Sequence, residues 1–340
     1  MKISILLPYK ENFSPEYPGA VSIFINQVTQ ISKYKKNITI YGNTDYKKKF
    51  NLNYRNINLD KNLFQSVSKK YVNEFIKLEK IAPSAFIEIH NKPNYLHILI
   101  ASLSDKKIYA LYFHNDPLTM TGSKTIKDRI FLLRNCYKII FNSNWSKKRF
   151  LEGMQNKFVN SEKLIVIFQS ASKGKINFNK KRKWITFVGK LNKSKGYDIF
   201  GSAIVKVLNK NKDWKGLVIG DEQRDKINFI HPNLKKLGFL NHAKVLNIYK
   251  KTSIAVVCSR WEEPFGRTSL EAASNGCAVI ISNRGGLPET ITNGVILKRL
   301  NSSVLAKNIN NLIKNSAFRK KLQILSNENF YLTHKFISKK

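Results

Sequence analysis

The chain has 340 residues, 42% of them hydrophobic, which is long for one core and comfortable for two. Its 60 basic residues stand against 22 acidic ones, a formal charge of +38 that covers both halves and so excludes one localised nucleic-acid footprint. No apolar run approaches the ~18 residues of a membrane-spanning helix, which excludes an integral membrane protein of that kind.

Strand and helix patterns alternate along the chain. Ile3 to Leu7 is too short for the apolar core of a secretory leader and reads as a first strand. Pro18-Gly19-Ala20 then opens a helical pattern over Val21 to Ile31. Further strand patterns fall at Ile38 to Tyr41, Phe86 to Ile89, Ile108 to Phe113, Ile139 to Phe141 and Leu164 to Phe168, with a helical one at Leu63 to Leu78. Residues 173–183 carry six basic groups, no acid and little periodicity, and are read as a linker. The pattern restarts with strands at Trp184 to Val188, Leu217 to Ile219, Ile254 to Cys258 and Ala278 to Ile281. Helices are expected near Asp198 to Leu208, Lys244 to Tyr249 and Val304 to Ile313. The division expected is therefore 1–172, a basic linker 173–183, a second domain 184–320 and a helical tail 321–340. Each domain reads as a parallel sheet wrapped by helices. An α/β protein of two doubly wound, Rossmann-like domains facing a central cleft is predicted, with the ligand beyond the strand C-termini.

Several chemistries lack their residues. No Gly-x-Gly-x-x-Gly follows a strand and no Gly-x4-Gly-Lys-Ser/Thr occurs, against a nicotinamide dehydrogenase or a P-loop enzyme. His-Glu-x-x-His, Asp-x-Asp and Gly-x-Ser-x-Gly are missing too, so neither a catalytic metal nor a serine nucleophile is expected. Cys136, Cys258 and Cys277 are scattered among apolar neighbours, as in a reduced, cytoplasmic protein.

The most informative stretch is residues 263–271, Glu-Pro-Phe-Gly-Arg-Thr-Ser-Leu-Glu, after the apolar run Ser253 to Ser259. It reads as strand, carboxylate loop, glycine turn and helix. A helix N-terminus offers unpaired N–H groups to an anion or a hydroxyl-rich ligand, and carboxylates accept paired hydrogen bonds from vicinal hydroxyls. The alternative is an acidic loop before an ordinary helix. Residues 188–196, Val-Gly-Lys-Leu-Asn-Lys-Ser-Lys-Gly, follow the first strand of the second domain. Residues 110–118, Ala-Leu-Tyr-Phe-His-Asn-Asp-Pro-Leu, place His114 at a strand end, and residues 86–93, Phe-Ile-Glu-Ile-His-Asn-Lys-Pro, carry Glu88, His90 and Asn91. Glu88 reads as an anchor along the strand, whereas His90 and Asn91 are expected to face the cleft.

Together these stretches resemble the retaining glycosyltransferases of family four, which have the GT-B fold. Residues 263–271 match that family's Glu-x7-Glu signature. The resemblance implies that Glu263 contacts the donor hexose and Glu271 the nucleotide ribose, with backbone N–H groups from Phe265, Gly266, Arg267 and Thr268 at the helix start. Residues 189–196 are similar to the family's Gly-Arg-x4-Lys-Gly, which places Lys190 and Lys195 on the donor diphosphate. Lysine at 190 replaces arginine's bidentate fork by a point charge. His114 corresponds to a histidine beside the donor sugar, in the His-Asn-Asp-Pro version of bacterial surface-polysaccharide enzymes, and Gly19 to a reduced glycine-rich loop near the phosphates. Gly220-Asp221, Gly238-Phe239-Leu240 and residues 284–289 resemble further family loops, more weakly.

The resemblance implies a metal-independent hexosyltransferase without cofactor, acting from a nucleoside diphosphate sugar on a cell-surface glycan or glycolipid such as lipopolysaccharide core. A sugar-nucleotide epimerase of the same fold and a basic nucleic-acid-binding protein are the alternatives; no nucleic-acid-binding motif supports the second. Lysine, asparagine and isoleucine are abundant, so part of the charge is codon bias, but scarce acids still suggest an anionic partner. Peripheral binding to the inner face of the cytoplasmic membrane is expected, with Lys61 to Lys80 as one amphipathic candidate. Phe64, Val67, Tyr71 and Phe75 mark one face of it, and Lys61, Lys69, Lys70, Lys77 and Lys80 flank that face. Taken alone, the same helix reads somewhat better as core-facing with a basic, solvated back.

Overall fold

The computed structural model describes residues 1–59, 66–104, 106–222 and 226–340. It divides into two compact units, Met1–Ser170 with His334–Lys340, and Ala171–Thr333.

The first unit holds seven strands: β1 (Ile3–Leu6), β2 (Ile38–Gly42), β3 (Tyr54–Asn56), β4 (Phe86–His90), β5 (Ile108–Phe113), β6 (Lys138–Phe141) and β7 (Leu164–Val166). They form one parallel sheet in the order β3-β2-β1-β4-β5-β6-β7. Side chains alternate between its faces. Leu6, Ile87, Ile89, Leu111, Phe113 and Phe141 point to one core, where Tyr71 and Phe75 of the helix Val67–Ile81 are buried with them. That helix thus spends Tyr71, Val72, Phe75 and Ile76 on the core and leaves Val67, Lys69, Lys77, Lys80 and Ile81 exposed, so insertion of Tyr71 and Phe75 into a bilayer is ruled out. Lys61 and Phe64 lie outside the described residues.

The second unit holds β8 (Arg182–Val188), β9 (Lys215–Ile219), β10 (Leu234–Lys236), β11 (Thr252–Val257), β12 (Ala278–Ser282) and β13 (Val295–Leu297), again all parallel, in the order β10-β9-β8-β11-β12-β13. Every residue of β11 is buried, as a central strand covered on both faces requires. Ile254, Val256 and Ile280 pack under the helices Tyr197–Lys210 and Ser302–Lys314; Ala255, Val257 and Ile281 pack under His242–Lys251 and Arg267–Ser274.

Residues 173–183 belong to this unit rather than hanging free. Arg182 and Lys183 begin β8, and Phe178–Lys180 forms a short 3₁₀ turn. The Lys181 ammonium donates to the carbonyls of Tyr249 and Asn275, at 3.0 and 2.7 Å, and Gly174 N donates to Ser274 O at 3.0 Å. Charge-assisted bonds to buried carbonyls turn a basic stretch into an anchored one. The last helix of the unit begins at Ser316 and ends at Glu328, and the segment from His334 onward packs with the first unit, where His334 bonds Ser170 Oγ at 2.9 Å.

Candidate functional site

Both sheets reverse their winding once, and in the second unit this happens between β8 and β11. Doubly wound sheets bind ligands at such a point, because the two following loops diverge there. The loops in question are 189–196 after β8 and 258–266 after β11, the two stretches singled out in the sequence.

The loop 189–196 is shaped by backbone contact. Gly189 N donates to Ile219 O at 3.0 Å, Leu191 N to Asp221 O at 3.2 Å and Gly220 N to Gly238 O at 2.9 Å, lacing together the ends of β8, β9 and β10. A Cβ on Gly220 would collide with the Gly189 carbonyl, and one on Gly196 with the Cys258 carbonyl. Gly196 sits at φ +72° at the start of the helix Tyr197–Lys210, a left-handed position that glycine fills without strain. Asn192 closes the turn, its Oδ1 accepting from Lys195 N at 3.0 Å and Ser194 Oγ at 2.8 Å. Arg260 then fastens the loop to the strand beside it, donating to Lys193 O at 3.0 Å and gripping both oxygens of Asp198. Lys190 is exposed, whereas Lys195 reaches across to Glu263, Nζ to Oε1 at 2.5 Å.

Gly196→Ala is therefore expected to destabilise this unit. The left-handed backbone alone costs roughly 1–3 kcal/mol for a side chain, and the Cys258 collision adds to it. A melting temperature unchanged in calorimetry would show that the loop adapts freely.

Glu263 is held by its backbone: Gly286 N donates to its carbonyl at 2.6 Å, and Gly285, at φ +56°, leaves no room for a Cβ beside it. The Gly-Gly loop is thus the shelf on which Glu263 lies. The Phe265 ring is buried, so it offers a ligand no side-chain surface. Gly266, at φ +121°, caps the helix Arg267–Ser274 with no side-chain acceptor, and the N–H groups of the first turn are turned toward the loop.

Glu271 is buried on that helix. Its Oε1 lies 2.7 Å from Arg267 Nε, one turn earlier, and 2.7 Å from His242 Nε2. Burial pushes this carboxyl up, but Arg267 and His242 more than offset it and hold it below the ordinary carboxylate value. Arg267, expected at the donor by its backbone, thus directs its side chain to Glu271. His242, at the start of the helix His242–Lys251, went unnoticed in the sequence, since nothing local in Asn241-His242 signals a partner 29 residues on.

In the first unit the winding reverses between β1 and β4. Gly19 begins the helix Ala20–Ile31, but Glu11 lies over that end: its Oε1 accepts from Ser22 N at 2.8 Å, and a Cβ on Gly19 would strike the same oxygen. Burial pushes the Glu11 carboxyl up, partly countered by the Ser22 and Val21 N–H groups. The helix end expected to approach a phosphate therefore already carries the chain's own carboxylate.

His114 is buried and belongs to a chain of hydrogen-bonding side chains. His90 Nε2 is 2.6 Å from Glu88 Oε1, His90 Nδ1 is 2.8 Å from His114 Nε2, and His114 Nδ1 is 3.4 Å from Gln169 Nε2. Asn91, at φ +56°, accepts from the backbone N–H of both His114 and Asn115, at 3.1 and 3.0 Å. Among the described residues no group of three or more histidine, cysteine, aspartate or glutamate side chains is placed to hold a metal ion, and no helix is long and apolar enough to cross a membrane.

Comparison with known proteins agrees with this fold. Residues 168–327, which make up most of the second unit, match the family model described as Glycosyl transferases group 1. A particular relative is spore coat protein SA of Bacillus subtilis (strain 168), 30% identical over 158 residues, which are 42% of this chain and 42% of that protein. The lipopolysaccharide core biosynthesis mannosyltransferase LpsB of Rhizobium meliloti (strain 1021) is 24% identical over 136 residues, 37% of this chain and 38% of that one. The matched stretch thus spans about two fifths of these relatives. Among solved structures, Anabaena HepE in complex with UDP and glucose superposes with a TM-score of 0.74 and 17% identity, covering 100% of this chain and 97% of that one. The fold is GT-B, with two Rossmann-like α/β domains.

Proposed function

We propose that this protein is a retaining, metal-independent glycosyltransferase that moves a hexose from a nucleoside diphosphate sugar to a cell-surface glycan or glycolipid, with lipopolysaccharide core the leading acceptor class. The observation that carries the reading is the position of two lysines and a carboxylate at the switch point of a glycosyl transferases group 1 domain. Lys195 and Lys190 supply positive charge where a diphosphate leaving group gathers negative charge, which lowers the barrier to its departure. Glu263 accepts from the hexose hydroxyls, Glu271 from the ribose, and the N–H groups at 266–268 face the donor at the helix start. A relative that is a lipopolysaccharide core mannosyltransferase and a structural neighbour that binds UDP and glucose support the substrate classes.

Lys190→Ala and Lys195→Ala are each expected to weaken a nucleoside diphosphate by about ten- to 150-fold, the equivalent of roughly 1.5–3 kcal/mol for a hydrogen bond to a charged group, with the parent nucleoside nearly unaffected. Equal weakening of both ligands in calorimetry would remove these lysines from the phosphates. Lys190→Arg is expected to keep or raise turnover. An epimerase of the same fold would convert donor with no acceptor present, so product analysis with donor alone separates the two chemistries.

The reading includes peripheral binding to an anionic membrane, with charge as its source since the helix Val67–Ile81 keeps Tyr71, Val72, Phe75 and Ile76 in the core. Each basic residue near such a surface contributes about 1 kcal/mol, and salt screens it. Cosedimentation with anionic vesicles at low ionic strength and release by high salt are expected; equal binding to zwitterionic vesicles contradicts an electrostatic origin.

A further inference from the structure

Glu88, read in the sequence as an anchor, and His90, expected to face the cleft but buried, form one structural unit with His114. Glu88 and His90 alternate along β4 and so share a face; His90 pairs in register with Tyr112 of β5, and His114 lies two residues beyond on that same face. The Tyr112 ring stacks on His114 at 4.3 Å and 5°, and Phe24 meets it edge-on at 5.8 Å, which fixes the imidazole plane. We propose that Glu88 and His90 are positioning residues that hold His114 as its Nε2-protonated tautomer, so that His114 meets a substrate hydroxyl as a hydrogen-bond acceptor through Nδ1.

A carboxylate only accepts, so His90 Nε2 carries a hydrogen toward Glu88. A neutral His90 then has a lone pair on Nδ1, which takes its bond from His114 Nε2–H. A neutral His114 in turn has its lone pair on Nδ1, where the Gln169 amide donates at 3.4 Å, the longest link of the series and the one a substrate hydroxyl would replace. Hydrogens on both His114 nitrogens would place a cation in a buried ring, and burial pushes the His114 pKa well below its ordinary value; a charged His90 would instead put the His114 hydrogen on Nδ1, facing the Gln169 amide nitrogen, which can only donate. The groups facing this series are Glu88, Gln169, the Tyr112 ring and, toward His90, the Glu11 carboxylate. Glu88 also lines a mostly apolar cavity of about 210 Å³, and low polarity there strengthens its bond to His90. An Nδ1 acceptor selects a hydroxyl, and a ligand lacking a donor at that position gains nothing from it.

This inference rests on the reading of His114 as a substrate-contacting residue, yet its first test needs no activity. In long-range ¹H–¹⁵N spectra of the 340-residue chain, with His114 assigned by His114→Asn, the ring is expected to be neutral, with the hydrogen on Nε2 and none on Nδ1, around neutral pH. A hydrogen on Nδ1, or a charged ring, overturns the proposal whatever the enzyme transfers. Glu88→Gln removes the pure acceptor, since an amide either donates or accepts. Signals of the second tautomer are then expected at His114, with turnover about tenfold lower or more and nucleoside diphosphate affinity unchanged. A shifted tautomer with full turnover, or lost turnover with the tautomer intact, contradicts the positioning role. If Glu88→Gln does not fold, the wild-type spectrum alone decides. A correct spectrum in a protein that transfers no sugar would leave the relay standing and sink the proposed function instead.

Discussion

Glu271→Ala is expected to destabilise the second unit by about 3–5 kcal/mol, the usual cost of stripping one partner from a buried ion pair. The physical cause is the guanidinium left behind: Arg267 is only 11% exposed and lies against Glu271 one helical turn away. Its own pKa is pushed down by burial and supported mainly by that carboxylate. Glu271→Gln keeps a hydrogen-bonding oxygen without the charge and should lose less stability, while still weakening nucleotide binding through the ribose. The linkage sign is set by the direction of the Glu271 shift. A carboxyl held below its unfolded value contributes fully above the ordinary carboxylate range and loses that contribution as pH falls through the lower folded value. Acid unfolding of the second unit should therefore begin at higher pH in Glu271→Ala than in wild type. Wild-type thermal and acid stability in Glu271→Ala would show that Arg267 has another anchor.

Glu263→Ala should abolish most turnover, by a hundredfold or more if two charged hydrogen bonds of roughly 1.5–3 kcal/mol each are lost at the sugar. The sign of its effect on the bare nucleoside diphosphate is the sharper test. Without ligand, Lys195 is tied to Glu263 at 2.5 Å, so the lysine must leave the carboxylate to meet phosphate. Deleting Glu263 releases that ammonium, and affinity for the sugar-free diphosphate should hold or rise while turnover collapses. Equal losses for sugar-bearing and sugar-free ligands would assign Glu263 a structural role.

Much of this frame was legible because its strands are buried on both faces. Ile254 to Cys258 and Ala278 to Ile281 read as continuous apolar runs, and the strands Thr252–Val257 and Ala278–Ser282 follow them closely. The edge strands Tyr54–Asn56 and Leu234–Lys236 were not, since three residues of mixed polarity give no periodicity, and the apolar Val295–Leu297 is too short to stand out. In the second unit the motif residues Lys190, Lys195 and Glu263 lie in the two loops that diverge at the winding reversal, because those loops follow strands whose order the βαβ rule fixes. What remained hidden are partnerships across long separations. His242 with Glu271 and Arg260 with Asp198 join residues whose local context is unremarkable, and only packing of the helices on the sheet brings them together. The basic stretch 173–183 misled for the opposite reason: charge density suggests solvent, yet one of its lysines is consumed by two buried carbonyls.

The central claim is that the loops after Val188 and Val257 hold the diphosphate of a sugar donor. Hydrogen–deuterium exchange of the full chain, with and without UDP, GDP and ADP and with a chelator present throughout, tests it most directly. At least one nucleotide is expected to protect the backbone amides of residues 189–196 and 266–268 together, and Lys195→Ala should remove that protection at the same ligand concentration. Protection confined to other segments, or none with any of the three nucleotides at millimolar concentration, would contradict the account.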